Sequence, residues 1–195
     1  MHQLLLDSSN IFLSVGLAKD GKVIDKISYE AWQRQSEMMV TEIDNILKRN
    51  RIQKSDLDAV VIGIGPGSYT GVRIAVTIGK TIAYALHIKL YAKSSLSLLK
   101  HREIPTICLF NARSGRSYFG VYKGEEVIEK DSVIENEKVL EYIKSHQNYL
   151  VCGDTYQLGF ESAKFDILDN LAVIKTEEEV DPFKVKPVYL KDLGQ

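Results

Sequence analysis

The chain has 195 residues, of which 45% are hydrophobic and 26% charged, the proportions of an ordinary soluble globular protein long enough to bury a core. A formal net charge of −1 leaves no global basic footprint and argues against tight nucleic-acid binding by this chain alone. The apolar start around Leu4–Leu6 is too short for a signal peptide, and no later run reaches the ~18 apolar residues of a membrane helix, so a cytoplasmic protein is expected, with no membrane partner.

In chain order, Gln3–Leu6 reads as a short buried strand. Ile11–Ala18 alternates apolar and small or polar residues with the period of a strand. Lys19-Asp20-Gly21-Lys22 is a hairpin turn, since Asp-Gly tolerates positive φ, and Val23–Tyr29 returns as a third strand. Ala31–Asn50 is predicted helical, with Trp32, Met39, Ile43 and Ile46 on one face. Asp58–Ile64 is an apolar run rich in β-branched residues, as in a buried parallel strand. A second helix is predicted over Gly71–His87, a strand over Lys89–Ala92, and a short helix near Ser94–Lys100. The same order then recurs: strands at Pro105–Phe110, Arg116–Tyr122 and Glu126–Val133, a helix at Asn136–His146, a strand at Tyr149–Cys152, a short helix near Tyr156–Ser162 and a closing strand at Leu171–Lys175.

A meander running into strand–helix units gives a mixed sheet with flanking helices. Two in tandem point to an α/β chain of two ribonuclease-H-like lobes, the duplicated fold of the actin, hexokinase and Hsp70 class. The expected division is residues 1–100, carrying partner-binding helices, and a smaller second lobe, 101–195. Cys108 and Cys152 each lie in an apolar run and read as buried thiols.

Gly65-Pro66-Gly67-Ser68-Tyr69-Thr70-Gly71-Val72-Arg73 follows a buried strand and opens a helix. Its glycines permit a sharp turn, and Ser68 or Thr70 can cap the helix. Free N–H groups there would favour an anion, the alternative being a plain strand-to-helix turn. Gly79-Lys80-Thr81 lies mid-helix without the upstream glycine of a Walker A loop. Gly71, Ala75, Gly79 and Ala83 recur every four residues as a stripe of small side chains. Val72, Ile74, Val76, Ile78, Ile82 and Leu86 spread apolar surface around the rest of that helix, which predicts burial on all sides. Met38 and Val40 lie off the apolar face of the first helix. Two such helices predict an interface with another chain, for which Gln35, Met38, Met39, Glu42, Val72, Ala75, Val76, Gly79 and Ala83 are the candidate contacts.

The Gly65–Arg73 segment resembles the signature of the TsaB (YeaZ) family, with Tyr69 where Phe is usual. Leu5-Leu6-Asp7-Ser8-Ser9 is similar to the family's first strand, and Ser36-Glu37 to its His-Ser-Glu, with Gln35 at the histidine. Asn111-Ala112-Arg113-Ser114-Gly115 looks like its Asp-Ala-Arg loop, with Asn for Asp; Val151–Asp154 and Pro187–Lys191 also match. The resemblance implies a non-catalytic subunit that pairs through its first-lobe helices with a catalytic TsaD-like subunit. A TsaE-like ATPase joins them, and the assembly transfers threonylcarbamoyl to the adenosine beside the anticodon of tRNA. It implies a homodimer when the chain is alone, tRNA contact only through the complex, and no cofactor.

The residues agree with a non-catalytic role. Asp7, Ser8 and Arg113 are possible anion contacts, but the Asn111–Arg116 hairpin lacks the paired glycines and the acidic magnesium ligand of an actin-class ATPase. His2, His87, His101 and His146 include no pair at metal-ligand spacing, and Ser68 has no visible histidine partner. The competing readings are an active actin-class ATPase, phosphotransferase or peptidase-like enzyme, and a direct tRNA-binding module.

Overall fold

The computed structural model describes residues 1–31 and 33–190. The expectations for Trp32 and for Lys191 lie outside the described residues.

The first lobe holds β1 (His2–Asp7), β2 (Phe12–Lys19), β3 (Lys22–Glu30), α1 (Gln35–Arg49), β4 (Ala59–Gly63), α2 (Tyr69–Leu86) and β5 (Lys89–Lys93). Its sheet runs in the order β3-β2-β1-β4-β5, with β1, β4 and β5 parallel and the β1–β2–β3 meander antiparallel. The meander turns where expected, with Asp20 and Gly21 at φ 51° and 76°. The two central strands are apolar on both sides because helices cover both. Leu4, Leu6, Val60 and Ile62 face α1 and α2, while Leu5, Ala59 and Val61 face a second layer.

The second lobe repeats the meander with β6 (Thr106–Asn111), β7 (Arg116–Lys123) and β8 (Glu126–Glu135), then α3 (Asn136–Ser145) and β9 (Leu150–Gly153), in the order β8-β7-β6-β9. α3 covers one face of this sheet through Val139, against Ile107, Leu109, Phe119 and Val121. The duplicated ribonuclease-H-like architecture is therefore present, its second sheet one strand short. Cys108 and Cys152, buried and unpaired, are register partners on β6 and β9.

Two expected elements differ. The helix expected near Tyr156–Ser162 is one turn, Tyr156–Leu158, stopped by left-handed Gly159. The strand expected over Leu171–Lys175 does not form: Leu171 and Ala172 end a helix, α4 (Ile167–Ala172), and 173–175 are in neither strand nor helix. Asp166 caps α4 by accepting from the N–H groups of Leu168 (3.0 Å) and Asp169 (3.4 Å), and Ile167, Leu168, Leu171 and Ala172 are all buried. That cap and the i, i+1, i+4, i+5 spacing favour a helix over a strand.

α4 does not extend the second sheet. It packs on β1, β2 and β3 and on the Leu96–Leu99 turn, so part of the 101–195 half lies on the first lobe. Leu168 and Leu171 share one buried layer with Leu5 and Val61 of the first sheet and Phe110 and Cys152 of the second. Buried Lys93 fastens this layer by donating to the carbonyls of Asn170 and Val173, near the end of α4. Beyond α4 the chain returns along β5, with Val180 N–H donating to Leu90 O at 2.8 Å and Val188 N–H to Ile64 O at 2.7 Å. No helix among the described residues is long and apolar enough to cross a membrane.

Candidate functional site

The Gly65–Gly71 loop joins β4 to α2 and is closed by the chain's own Asp7-Ser8-Ser9 segment. Ser68 caps α2, its Oγ accepting from Gly71 N–H at 3.3 Å. Ser68 N–H donates to Ser9 O at 2.6 Å, and Gly65 N–H to Ser95 Oγ at 2.9 Å. The N–H groups of Gly65, Ser68 and Gly71 are thus partnered inside the protein. Gly67, at φ 158°, has Ser9 O where a side chain would begin, and Gly71 is packed in the same way against Ser8 O.

Asp7 and Ser8 are not presented to solvent. The Asp7 carboxylate is 2% exposed; it accepts from Ser9 N–H (3.0 Å), Ser9 Oγ (2.7 Å) and Ser95 Oγ (3.0 Å). Burial pushes its pKa up, and the Ser9 and Ser95 hydrogen bonds oppose that shift only in part. Ser8 Oγ donates to Gly71 O at 2.8 Å. As anion contacts both positions are corrected to structural ones, because their polar atoms are spent on the loop. Arg113 remains exposed at the left-handed tip of the β6–β7 hairpin, its N–H donating to Asn111 Oδ1 at 2.7 Å.

The histidines are engaged structurally. His87 takes the left-handed position that ends α2, His101 Nδ1 accepts from the N–H groups of Glu103 and Ile104, and His146 stacks on Tyr142 at 4.0 Å. Among the described residues no group of three or more His, Cys, Asp or Glu could hold a metal ion.

The stripe of small residues on α2 faces the sheet. Val72, Ala75, Val76, Gly79 and Ala83 are buried in the first lobe's own core, and a Cβ on Gly79 would run into Ile62 Cγ2 and lie 3.5 Å from Val60 Cγ1. Met39 is equally buried on α1. These candidate contacts are therefore core residues, because the close approach that they permit is to β4. Gln35 is also buried, donating to Asn10 O at 3.2 Å. Glu42 accepts from Tyr29 Oη at 2.9 Å and is partly buried, as is Met38. Both turn toward the β3 side of α1.

The open surface is the groove between the two helices, about 560 Å³. Val40, Thr41 and Asp44 of α1 line it opposite Thr81, Ile82 and Ala85 of α2. Val40 is 58% exposed, whereas Leu4, Ile43 and Leu47 form the floor. The surplus apolar positions Val40, Ile82 and Leu86 were visible in the sequence; Thr41, Asp44 and Ala85 were not. The usable signal was that a small-residue stripe marks the sheet-facing side, which leaves the α1 side of α2 uncovered.

The other side of α2 is covered by the chain itself. Phe183 meets Tyr84 edge-on at 4.8 Å, Tyr189 meets Tyr69 at 5.1 Å, and Val188 O lies against Gly65. Residues 183–189 thus run as a strap along α2, leaving a turn at 182–184 in which the N–H groups of Lys184 and Val185 donate to Asp181 O, each at 3.0 Å.

The family model described as "TsaD: tRNA N6-adenosine threonylcarbamoyltransferase" matches residues 29–174. A relative in Bacillus subtilis, "tRNA threonylcarbamoyladenosine biosynthesis protein TsaB", is 35% identical over 124 residues, 62% of this chain and 54% of the relative. The match thus spans about half of that relative's own length. An uncharacterized Mycoplasma genitalium protein is 28% identical over 98% of this chain and 95% of its own length. Among solved structures, YeaZ from Pseudomonas aeruginosa superposes with a TM-score of 0.78 at 23% identity, covering 97% of this chain and 99% of that one. This likeness bears on the fold.

Proposed function

The chain belongs to the TsaB (YeaZ) family, within the group matched by the TsaD threonylcarbamoyltransferase model, and from that premise we propose that it is a partner subunit in tRNA threonylcarbamoyladenosine biosynthesis. Its role is to dock a catalytic TsaD-like subunit and hold it competent for threonylcarbamoyl transfer to the adenosine beside the anticodon. A TsaE-like ATPase completes the assembly, which works in the cytoplasm. The chain contributes no catalytic residue of its own.

The observation that carries this reading is the apolar groove between α1 and α2. Val40, Ile82, Ala85 and Leu86 present apolar surface along two adjacent helices, a shape suited to helices of a partner. The hydrogen bonding of the Gly65–Gly71 loop supports the non-catalytic part, because the N–H groups of Gly65, Ser68 and Gly71 are engaged internally. In the absence of the catalytic subunit, the same groove pairs two copies of this chain.

Co-expression with the cognate TsaD-like subunit tests the reading. A stable heterodimer is expected on size exclusion, and Val40→Glu with Ala85→Arg should abolish it. The isolated double variant should melt as the wild type does, since both positions are exposed. Separate elution of the two wild-type proteins, or an undiminished complex with the double variant, overturns the groove assignment. Tight magnesium-ATP binding by the isolated chain in calorimetry overturns the non-catalytic part.

A further inference from the structure

The strap side of α2 has a chemistry distinct from the groove. α2 carries Arg73 and Lys80 and no acidic residue, and the strap adds Lys184 and Lys186. Among the described residues no ion pair involves Arg73, Lys80 or Lys186. Three nearby acids are already engaged: Glu179 with Lys89 at 2.7 Å, Glu178 with Lys93 at 3.5 Å and Asp181 with Lys184 at 3.7 Å. The net charge of −1 conceals this local excess of cations.

Aromatic rings are interleaved with those cations. Phe183 is 71% and Tyr84 54% exposed although the two rings touch, and Tyr69 and Tyr189 form a second, partly exposed pair. Arg73 lies over the Tyr69 ring at 5.2 Å and donates to its hydroxyl at 2.6 Å. Burial does not explain Phe183, which keeps most of its ring in solvent. Cations tracking a backbone, with exposed rings on which bases stack, are the combination used to hold single-stranded nucleic acid. An acidic protein would use the cations but leave the Tyr84–Phe183 platform without a purpose.

We propose that the ridge formed by α2 and the 183–189 strap contacts single-stranded RNA, its bases stacking on Tyr84 and Phe183 and its phosphates meeting Lys80, Arg73 and Lys186. The identification of that RNA as a tRNA loop rests on the tRNA-modification reading above. The surface chemistry does not depend on it. Contact by this chain is weak and adds to the affinity of the assembly.

The test is fluorescence anisotropy of the isolated chain with a labelled hairpin RNA of the anticodon-loop sequence. At low salt the expected Kd lies within ~1–100 μM, weakening as salt rises. Phe183→Ala and Tyr84→Ala should each weaken binding ~10-fold. Lys80→Gln with Lys186→Gln should reduce the slope of log K against log salt by about 1.4. No binding at ~100 μM protein overturns the proposal, as does binding unaffected by Phe183→Ala. So does displacement of the RNA by poly-glutamate at equal charge with the ring variants inert, which would assign the ridge to an acidic protein. Failure here and failure of the docking reading are separable. Phe183→Ala should keep the heterodimer while losing RNA, and the groove variant should lose the heterodimer while keeping RNA on the isolated chain.

Discussion

Replacing Gly79 by valine separates the two roles open to the stripe of small residues on α2. If the stripe were a free surface awaiting a partner, valine would stabilise the isolated chain by a few tenths of a kcal/mol, since glycine is the poorer helix former. In the structure, even the first added carbon runs into Ile62 Cγ2 and stands 3.5 Å from Val60 Cγ1. Both neighbours lie on a strand buried on its two faces, so neither can withdraw to solvent. Overpacking of that kind costs about 1–3 kcal/mol, and three extra carbons at such a contact place valine near the top of the range. Subtracting the helix gain leaves a loss of about 2–3 kcal/mol, or roughly 5–10 °C in Tm for a chain of this size. Urea unfolding of the isolated chain measures it, and Ile62→Ala in the Gly79→Val background should couple favourably by at least ~0.5 kcal/mol. A Gly79→Val chain as stable as the wild type would refute the packing of α2 on β4.

Two further outcomes follow from burial. Because the folded Asp7 pKa lies above its usual value of 3.8, its ionisation weakens the fold as pH rises through the interval between them. Asp7→Asn keeps the acceptor for Ser9 and should flatten that pH dependence, leaving the protein at neutral pH no less stable than wild type; a variant whose stability still falls across that interval would show that Asp7 is not the group responsible. Burial pushes the Cys108 thiol well up and holds Cys152 at about 11, so neither should react with a thiol reagent in the native state, and both should react once urea unfolds the chain. Rapid native labelling of either residue would contradict the shared layer between the sheets.

Local chemistry made much of the architecture legible. Asp20-Gly21 sets the hairpin turn, the β-branched run Ala59–Gly63 makes a strand buried on both faces, and Ser68 starts α2 where the glycine-rich segment ends. These signals act over a few residues and survive without knowledge of the fold. The Gly65–Arg73 segment also carried the family resemblance, but its part in the molecule is different from a phosphate loop, since Asp7, Ser8 and Ser9 fill the space around it.

What the sequence by itself determined is that α2 must be approached closely on one side, because only small side chains recur there. It did not say what approaches. A four-residue repeat reports the distance to a neighbour, and β4 or a foreign helix would leave the same mark. Tertiary structure assigned that side to Ile62, turned Val40 and Ile82 into the walls of an open groove, and carried Phe183 and Tyr189 back across ~100 residues of chain to the flank of α2. The strap has no helical or strand period of its own; Pro182 precedes it and Pro187 interrupts it. Its position is set by contacts with residues distant in sequence, and such contacts are decided only when the whole chain has folded.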